Sequence, residues 1–254
     1  MNSKQLAIKT AKEAGKELKK LFITRKVKAT LKSKYEIVTT ADKLAEKIIL
    51  KDIRKHFPEH QILSEESGLT KNKSDYLWVV DPLDGTTNFF MHNPIFSVSI
   101  GLFYKGEAIL GVIYVPMLDE LYVAEKGKGA YMNNKKLKVS NETKPSNSYL
   151  TFCHGNKTNN INKAIQIYNK LKKQARDFRQ LGSAAIELAY VARGITECIL
   201  IPGALRWDVA AGILMVREAG GRVTDFKNEE WNVKSKDMLA SNGKVHKALL
   251  RYVN

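Results

Sequence analysis

The run Leu77-Trp78-Val79-Val80-Asp81-Pro82-Leu83-Asp84-Gly85-Thr86-Thr87-Asn88-Phe89 constrains this chain more than any other stretch. Its apolar start, rich in β-branched and aromatic residues, reads as a buried strand. The strand breaks at Asp81-Pro82, delivers two carboxylates three residues apart, and turns on Gly85 into Thr86 and Thr87. Carboxylates at a strand end suit hard cations such as Mg²⁺. Backbone N–H groups after Gly85 can face an anion, above all where a helix begins there. An isolated D-x-x-D-G is equally well an Asp-rich β-turn. Residues elsewhere in the chain have to decide between the two.

The surrounding segments are expected to stack as α and β layers, an α/β (α+β) architecture. Residues 4–22 carry Ala7, Ala11, Ala14, Leu18 and Leu21 at helical spacing with lysines opposite. Lys32 to Glu36 reads as a turn or mobile loop, followed by a short extended piece over Ile37–Thr40. Thr40 or Asp42 is expected to cap a second helix that runs to Phe57 and ends at Pro58. Asp42 has two candidate roles there: an acid favoured by the helix dipole, or a group that polarises a hydroxyl. Gln61–Leu63 is a short strand that leads into Glu65-Glu66. Adjacent side chains diverge, so at most one of these glutamates points into a given site. Ile95–Tyr104 and Glu107–Val115 form a hairpin, completing a first part over about 1–145 of a single 1–254 domain. The second part, over about 146–254, alternates helix and strand, with helices opening at Ser183 and Trp207.

Charge raises a different class of function. The formal net charge is +16 and the sequence pI about 9.7, which invites a nucleic-acid partner. The lysines are scattered, however, and their clusters are mixed with apolar helix or strand positions. The expectation is a solvated basic surface that draws in small anionic substrates, with nucleic acid disfavoured as the main partner. No apolar run approaches the roughly 20 residues that span a bilayer, so no membrane role is expected. The N-terminus lacks the apolar core of a signal peptide. Cys153 and Cys198 have no CxxC spacing and are expected to be reduced buried thiols in a cytoplasmic protein.

The isolated acids now form a pattern. Glu65 ends one strand, Asp81 and Asp84 end another, and Asp208 opens a helix beside Trp207. Together with Thr86 they suit a cluster of two or three Mg²⁺ ions. At this point the chain resembles the inositol monophosphatase-like, lithium-sensitive, Mg²⁺-dependent phosphatases. The resemblance is carried by Glu65-Glu66-Ser67, by Trp78 to Phe89, and by Trp207-Asp208-Val209-Ala210-Ala211-Gly212 with Glu218-Ala219-Gly220-Gly221. Leu31-Lys32-Ser33, Val38 to Asp42 and Gly127-Lys128-Gly129-Ala130 support it. The resemblance implies an enzyme of alternating αβαβα layers, a homodimer, acting on a small phosphorylated substrate. It implies that Glu65, Asp81 and the Leu83 carbonyl hold one Mg²⁺, and that Asp81, Asp84 and Asp208 hold a second. A third, looser ion would sit near Glu65, and Mn²⁺ is an acceptable substitute. It further implies that Thr86 and Asp42 activate the attacking water, and that the amides of Gly85, Thr86 and Thr87 hold the phosphate. Lys32 would lie on a mobile loop over the metals. Gly182, Ser183 and Ala184 match a substrate-side turn, and Asp84 and Asp208 also face the substrate.

The resemblance stops at one position. Inositol-selective members place a glutamate seven residues before the aspartate of the Trp-Asp pair, and that position is Ile201. Isoleucine accepts no hydrogen bond, so a site built on that contact loses selectivity. Arg206 is a candidate contact for a second phosphate, or simply an exposed arginine at a helix start. The leading expectation is hydrolysis of inositol phosphate or a related sugar phosphate. Fructose-1,6-bisphosphatase activity, alone or as a dual activity, is the main rival, followed by 3′-nucleotide or NADP phosphatase activity. A basic nucleic-acid-associated factor on the same fold is the non-enzymatic alternative.

Overall fold

The computed structural model describes residues 1–34 and 36–253. Tyr35, within the expected Lys32–Glu36 turn, lies outside the described residues. Capping boxes start the two helices of the outer layer. Asn2 and Gln5 close the first turn of α1 (Ser3–Thr24), and Thr39 with Asp42 that of α2 (Thr40–His56). The cap of α2 is therefore Thr39 rather than Thr40 or Asp42, and Asp42 reaches back to it. Between the helices lies a hairpin of β1 (Ala29–Ser33) and β2 (Glu36–Thr39); β2 is the expected extended piece, while β1 takes in Lys32 and Ser33 of the expected turn.

The first sheet contains β3 (Gln61–Ser64), β4 (Gly68–Leu69), β5 (Tyr76–Asp84), β6 (Ser97–Tyr104), β7 (Glu107–Val115), β8 (Glu120–Glu125), β9 (Gly129–Met132) and β10 (Lys135–Lys136). Their order is β10-β9-β8-β7-β6-β5-β3-β4, antiparallel throughout except for the β3/β5 pair. A five-residue helix, α3 (Thr86–Phe90), leaves the end of β5. The second sheet contains β11 (Tyr149–Phe152), β12 (Asp177–Arg179), β13 (Cys198–Ile201), β14 (Arg222–Thr224) and β15 (Met238–Ser241), ordered β12-β11-β13-β15-β14. Its helices are α4 (Thr158–Leu171), α5 (Ala184–Arg193), α6 (Arg206–Glu218) and α7 (His246–Leu250).

Alternation along the strands sorts these elements into αβαβα layers. Trp78 and Val80 of β5 pack under α1 and α2, whereas Val79 faces α5 and α6. In β13, Ile199 and Ile201 face the α5/α6 layer, and Cys198 and Leu200 face the outer layer of α4 and α7. The α5/α6 pair is thus the filling between two sheets. A Cβ on Gly111 would lie 2.5 Å from the Ala211 carbonyl oxygen, so this glycine lets α6 lie directly on the first sheet. That contact sets the position of Asp208, in the first turn of α6. No described helix is long and apolar enough to cross a membrane.

Candidate active site

A cleft of about 420 Å³ opens where β5 ends against the starts of α3, α5 and α6. Glu65, Asp81, Leu83, Asp84, Gly85, Thr86, Thr87 and Asp208 all line it. Glu65 is set by its own backbone, whose N–H donates to the Val80 carbonyl at 3.2 Å. Its neighbour Glu66 does not line the cleft, as the divergence of adjacent side chains requires. Asp81 is 2% exposed and accepts the Leu83 N–H at 3.0 Å. Burial raises its pKa well above the usual carboxylate value, and repulsion from Glu65, Asp84 and Asp208 raises it further. The fold holds the four acids together against this repulsion. Oxygen donors of this kind fit a hard divalent cation that keeps several of its own waters. Among the described residues, no three His, Cys, Asp or Glu side chains stand in finished metal-holding geometry.

Thr86 meets Asp42 across 44 residues of chain. Its hydroxyl oxygen lies 2.9 Å from Asp42 Oδ1 and 2.9 Å from the Leu83 carbonyl oxygen, two acceptors for one proton. The other carboxylate oxygen of Asp42 accepts the Thr39 N–H at 2.8 Å and the Thr39 hydroxyl at 2.6 Å. Both roles foreseen for Asp42, first-turn acid and hydroxyl partner, are therefore filled by one side chain. Burial raises its pKa, and the bonds from Thr39 and Thr86 pull it back down. Gly85 caps α3 with φ +90°, and a Cβ there would come within 2.9 Å of the Ile95 carbonyl oxygen.

Asp84 is 6% exposed and is gripped by the start of α5. It accepts the hydroxyls of Ser97 and Ser183 and the N–H groups of Ala184 and Ala185, the latter two at 3.0 and 3.1 Å. Its pKa is raised by burial against these bonds. Gly182 and Ala184 line the cleft, but Ser183 is fully buried and acts on Asp84 rather than on the open space.

Neither Ile201 nor Arg206, the two positions raised for substrate selectivity, lines the cleft, and Arg206 fits its alternative as an exposed arginine at a helix start. Ile201 is 1% exposed and packs with Ile199 in the α5/α6 layer, because strand alternation points both the same way. Burial of such a side chain contributes roughly 1.5–3 kcal/mol, which is reason enough for an apolar residue there. Arg206 is exposed on a neighbouring groove with Lys157, Lys234 and Lys236. Residues two apart in a helix diverge, so Arg206 and Asp208 serve different surfaces. Lys32 lies on β1, and its side chain is outside the described residues.

The cleft also has walls that no motif announced: Cys153, His154, Asn156, Gln180 and Leu181. Cys153, expected to be buried, is partly exposed here, and only Cys198 is buried. Asn88 sits in the Asp81–Phe89 run without an assigned role. Its side-chain amide donates to the Ile95 carbonyl at 2.7 Å and the Leu181 carbonyl at 2.8 Å, joining α3 to the opposite wall.

Residues 2–254 match the family described as the inositol monophosphatase family. The chain belongs to that family. A protein named Nus factor SuhB from Pasteurella multocida is 40% identical over 251 residues, covering 98% of this chain and 94% of that protein. A fructose-1,6-bisphosphatase/inositol-1-monophosphatase from Thermotoga maritima is 39% identical over 219 residues, covering 86% and 83%. The crystal structure of the extragenic suppressor protein suhB from Bartonella henselae superposes with a TM-score of 0.93 at 34% identity, covering 98% of this chain and 97% of that one. The layered architecture is thus that of the inositol monophosphatase family. Similarity to proteins named Nus factor SuhB does not support the expectation that nucleic acid is disfavoured as a partner.

Proposed function

We propose that the chain is a Mg²⁺-dependent phosphomonoesterase acting on inositol monophosphate or a related sugar phosphate. The observation that carries this reading is the Thr86–Asp42 hydrogen bond, set beside Asp81 and the three carboxylates that repel it. Glu65, Asp81, Asp84, Asp208 and the Leu83 carbonyl would hold two ions, with a third near Glu65. Bound Mg²⁺ supplies charge neutralisation for the phosphoryl and leaving oxygens. Thr86 orients the attacking water. As the water oxygen bonds to phosphorus, Thr86 Oγ1 takes the water proton and passes its own to Asp42, which sits at hydrogen-bonding distance. Amides of Gly85, Thr86 and Thr87 hold the phosphoryl oxygens, and the ester P–O bond breaks on the far side as the leaving oxygen takes a proton from solvent water. His154, Asn156 and Gln180 face the rest of the substrate. Phosphate release from a panel of phosphomonoesters with Mg²⁺, repeated with Li⁺, tests this. No release from any of them overturns the reading.

Two observations support further readings. Similarity to the Thermotoga maritima protein, whose name gives both activities, favours fructose 1,6-bisphosphate as a second substrate in the same panel. The name Nus factor SuhB, with the net charge of +16, favours association with a macromolecular partner such as nucleic acid. A salt-dependent shift with duplex or single-stranded nucleic acid, unchanged in Asp81→Asn, would support that role alongside or instead of hydrolysis.

A further inference from the structure

The donors at the start of α5 are divided between two carboxylates. Asp84 takes the Ser183 hydroxyl and the N–H groups of Ala184 and Ala185. Glu187, in the first turn of α5 itself, folds back over the turn before it. Its Oε1 accepts the N–H groups of Leu181 and Gly182 at 2.9 and 3.0 Å and the Cys153 thiol at 3.2 Å. A first-turn acid ordinarily favours its helix from the solvent side. Glu187 has no exposure at all, and the Thr151 hydroxyl also acts on its carboxylate. Burial pushes its carboxyl up to about 7, against the pull of these donors. A carboxyl kept in such surroundings serves some purpose other than solubility or simple packing.

The groups it holds indicate that purpose. Cys153, Leu181 and Gly182 are all walls of the cleft. The Leu181 carbonyl is fastened from the other side by Asn88 at 2.8 Å. The Gly182 carbonyl oxygen lies so near Gly85 that a Cβ on Gly85 would come within 3.3 Å of it. Glu187 therefore fixes the turn that faces the phosphate-binding loop, and ties it to the end of β11 through the Cys153 thiol.

We infer that Glu187 is a positioning residue for substrate, holding the Leu181–Gly182 turn and Cys153 as the wall against which the non-phosphate part of the substrate rests. This rests on the phosphomonoesterase reading of the cleft. Methionine at 187 fills a similar volume and accepts no such bond, whereas glutamine keeps one acceptor oxygen. Glu187→Met should raise KM by roughly tenfold or more while kcat moves by less than about threefold, and Glu187→Gln should recover most of the loss.

Two readouts need no substrate. Amide hydrogen exchange at Leu181 and Gly182 should accelerate by about tenfold or more in Glu187→Met and stay near wild type in Glu187→Gln. Iodoacetamide should alkylate Cys153 several-fold faster in both variants, because loss of the carboxylate eases formation of the thiolate. Unchanged KM and unchanged exchange in a folded Glu187→Met overturn the inference. If Glu187→Met does not fold, an unchanged alkylation rate in Glu187→Gln overturns it. If the wild-type protein hydrolyses nothing, the phosphatase reading falls, and exchange at the two amides still decides whether Glu187 anchors the turn.

Discussion

The two walls of the cleft are built in opposite ways. The wall at the end of the first sheet is charged and drawn mostly from one short stretch, Asp81 to Thr87, with Glu65 and Asp42 brought to it. The facing wall is largely neutral and dispersed over Cys153, His154, Asn156 and Gln180 to Gly182. Charge that must act on a phosphoryl group needs close, fixed geometry, and a strand end followed by a turn supplies it locally. Recognition of the remaining substrate needs only shape and neutral hydrogen bonds, which many chain segments can provide. On the proposed phosphomonoesterase reading, the first wall would break the bond and the second would choose the substrate.

Removing charge from the first wall tests this most severely. Asp81→Asn should lower phosphate release by about 10³-fold or more, the scale seen for electrostatic groups at a reacting centre. Activity within tenfold of wild type in a metal-titrated assay would dissolve the distinction between the walls. Asp42→Asn comes next: loss of the proton acceptor for Thr86 should cost about 10²–10⁴-fold in kcat, read in the same assay. This change also weakens the α2 capping box, so the urea midpoint should be measured alongside.

Buried ionisable groups give a smaller effect, on stability. The Glu187 carboxyl is raised from 4.5 to about 7 in the folded chain. The folded state thus binds the extra proton, and stability present below pH 4.5 is lost as pH rises towards 7, by about 3 kcal/mol in all. Urea midpoints across that window should show this fall as the difference between wild type and Glu187→Gln; no slope in the difference would mean that the carboxyl titrates normally. His246 works the other way on the second sheet. Held between Thr224 Oγ1 at 2.9 Å and Ser241 Oγ at 2.8 Å, it is lowered by burial from 6.5 to about 4. Its contribution is present above pH 6.5 and is lost as pH falls towards 4. The smallest effect should come from Arg206→Ala. This residue faces the lysine-lined groove rather than the cleft, so kcat/KM for a monophosphate should change by less than about threefold. A larger loss would extend the second wall around the start of α6.

The first wall was legible because its parts are neighbours in the chain or end recognisable elements. A β-branched run broken by Asp81-Pro82 and turned on Gly85 can be read without a partner. The same is nearly true of Asp42, whose first-turn position was evident although its cap proved to be Thr39. Whether Ile201 faces the cleft was not legible, because a spacing of seven residues from Asp208 does not say which face of a strand a side chain takes. Only pairing within the second sheet turns Ile201 towards α5 and α6.

What the sequence determined by itself is the local chemistry: strand end, paired carboxylates, glycine turn and hydroxyl, each dictated by backbone preferences within a few residues. What the tertiary structure alone decided is the opposing wall. Asn88 reaches Leu181 across 93 residues, and Glu187 reaches Cys153 across 34. Such contacts follow from how closely α5 and α6 pack between two sheets, and close packing is a property of surfaces that meet only after the chain has folded.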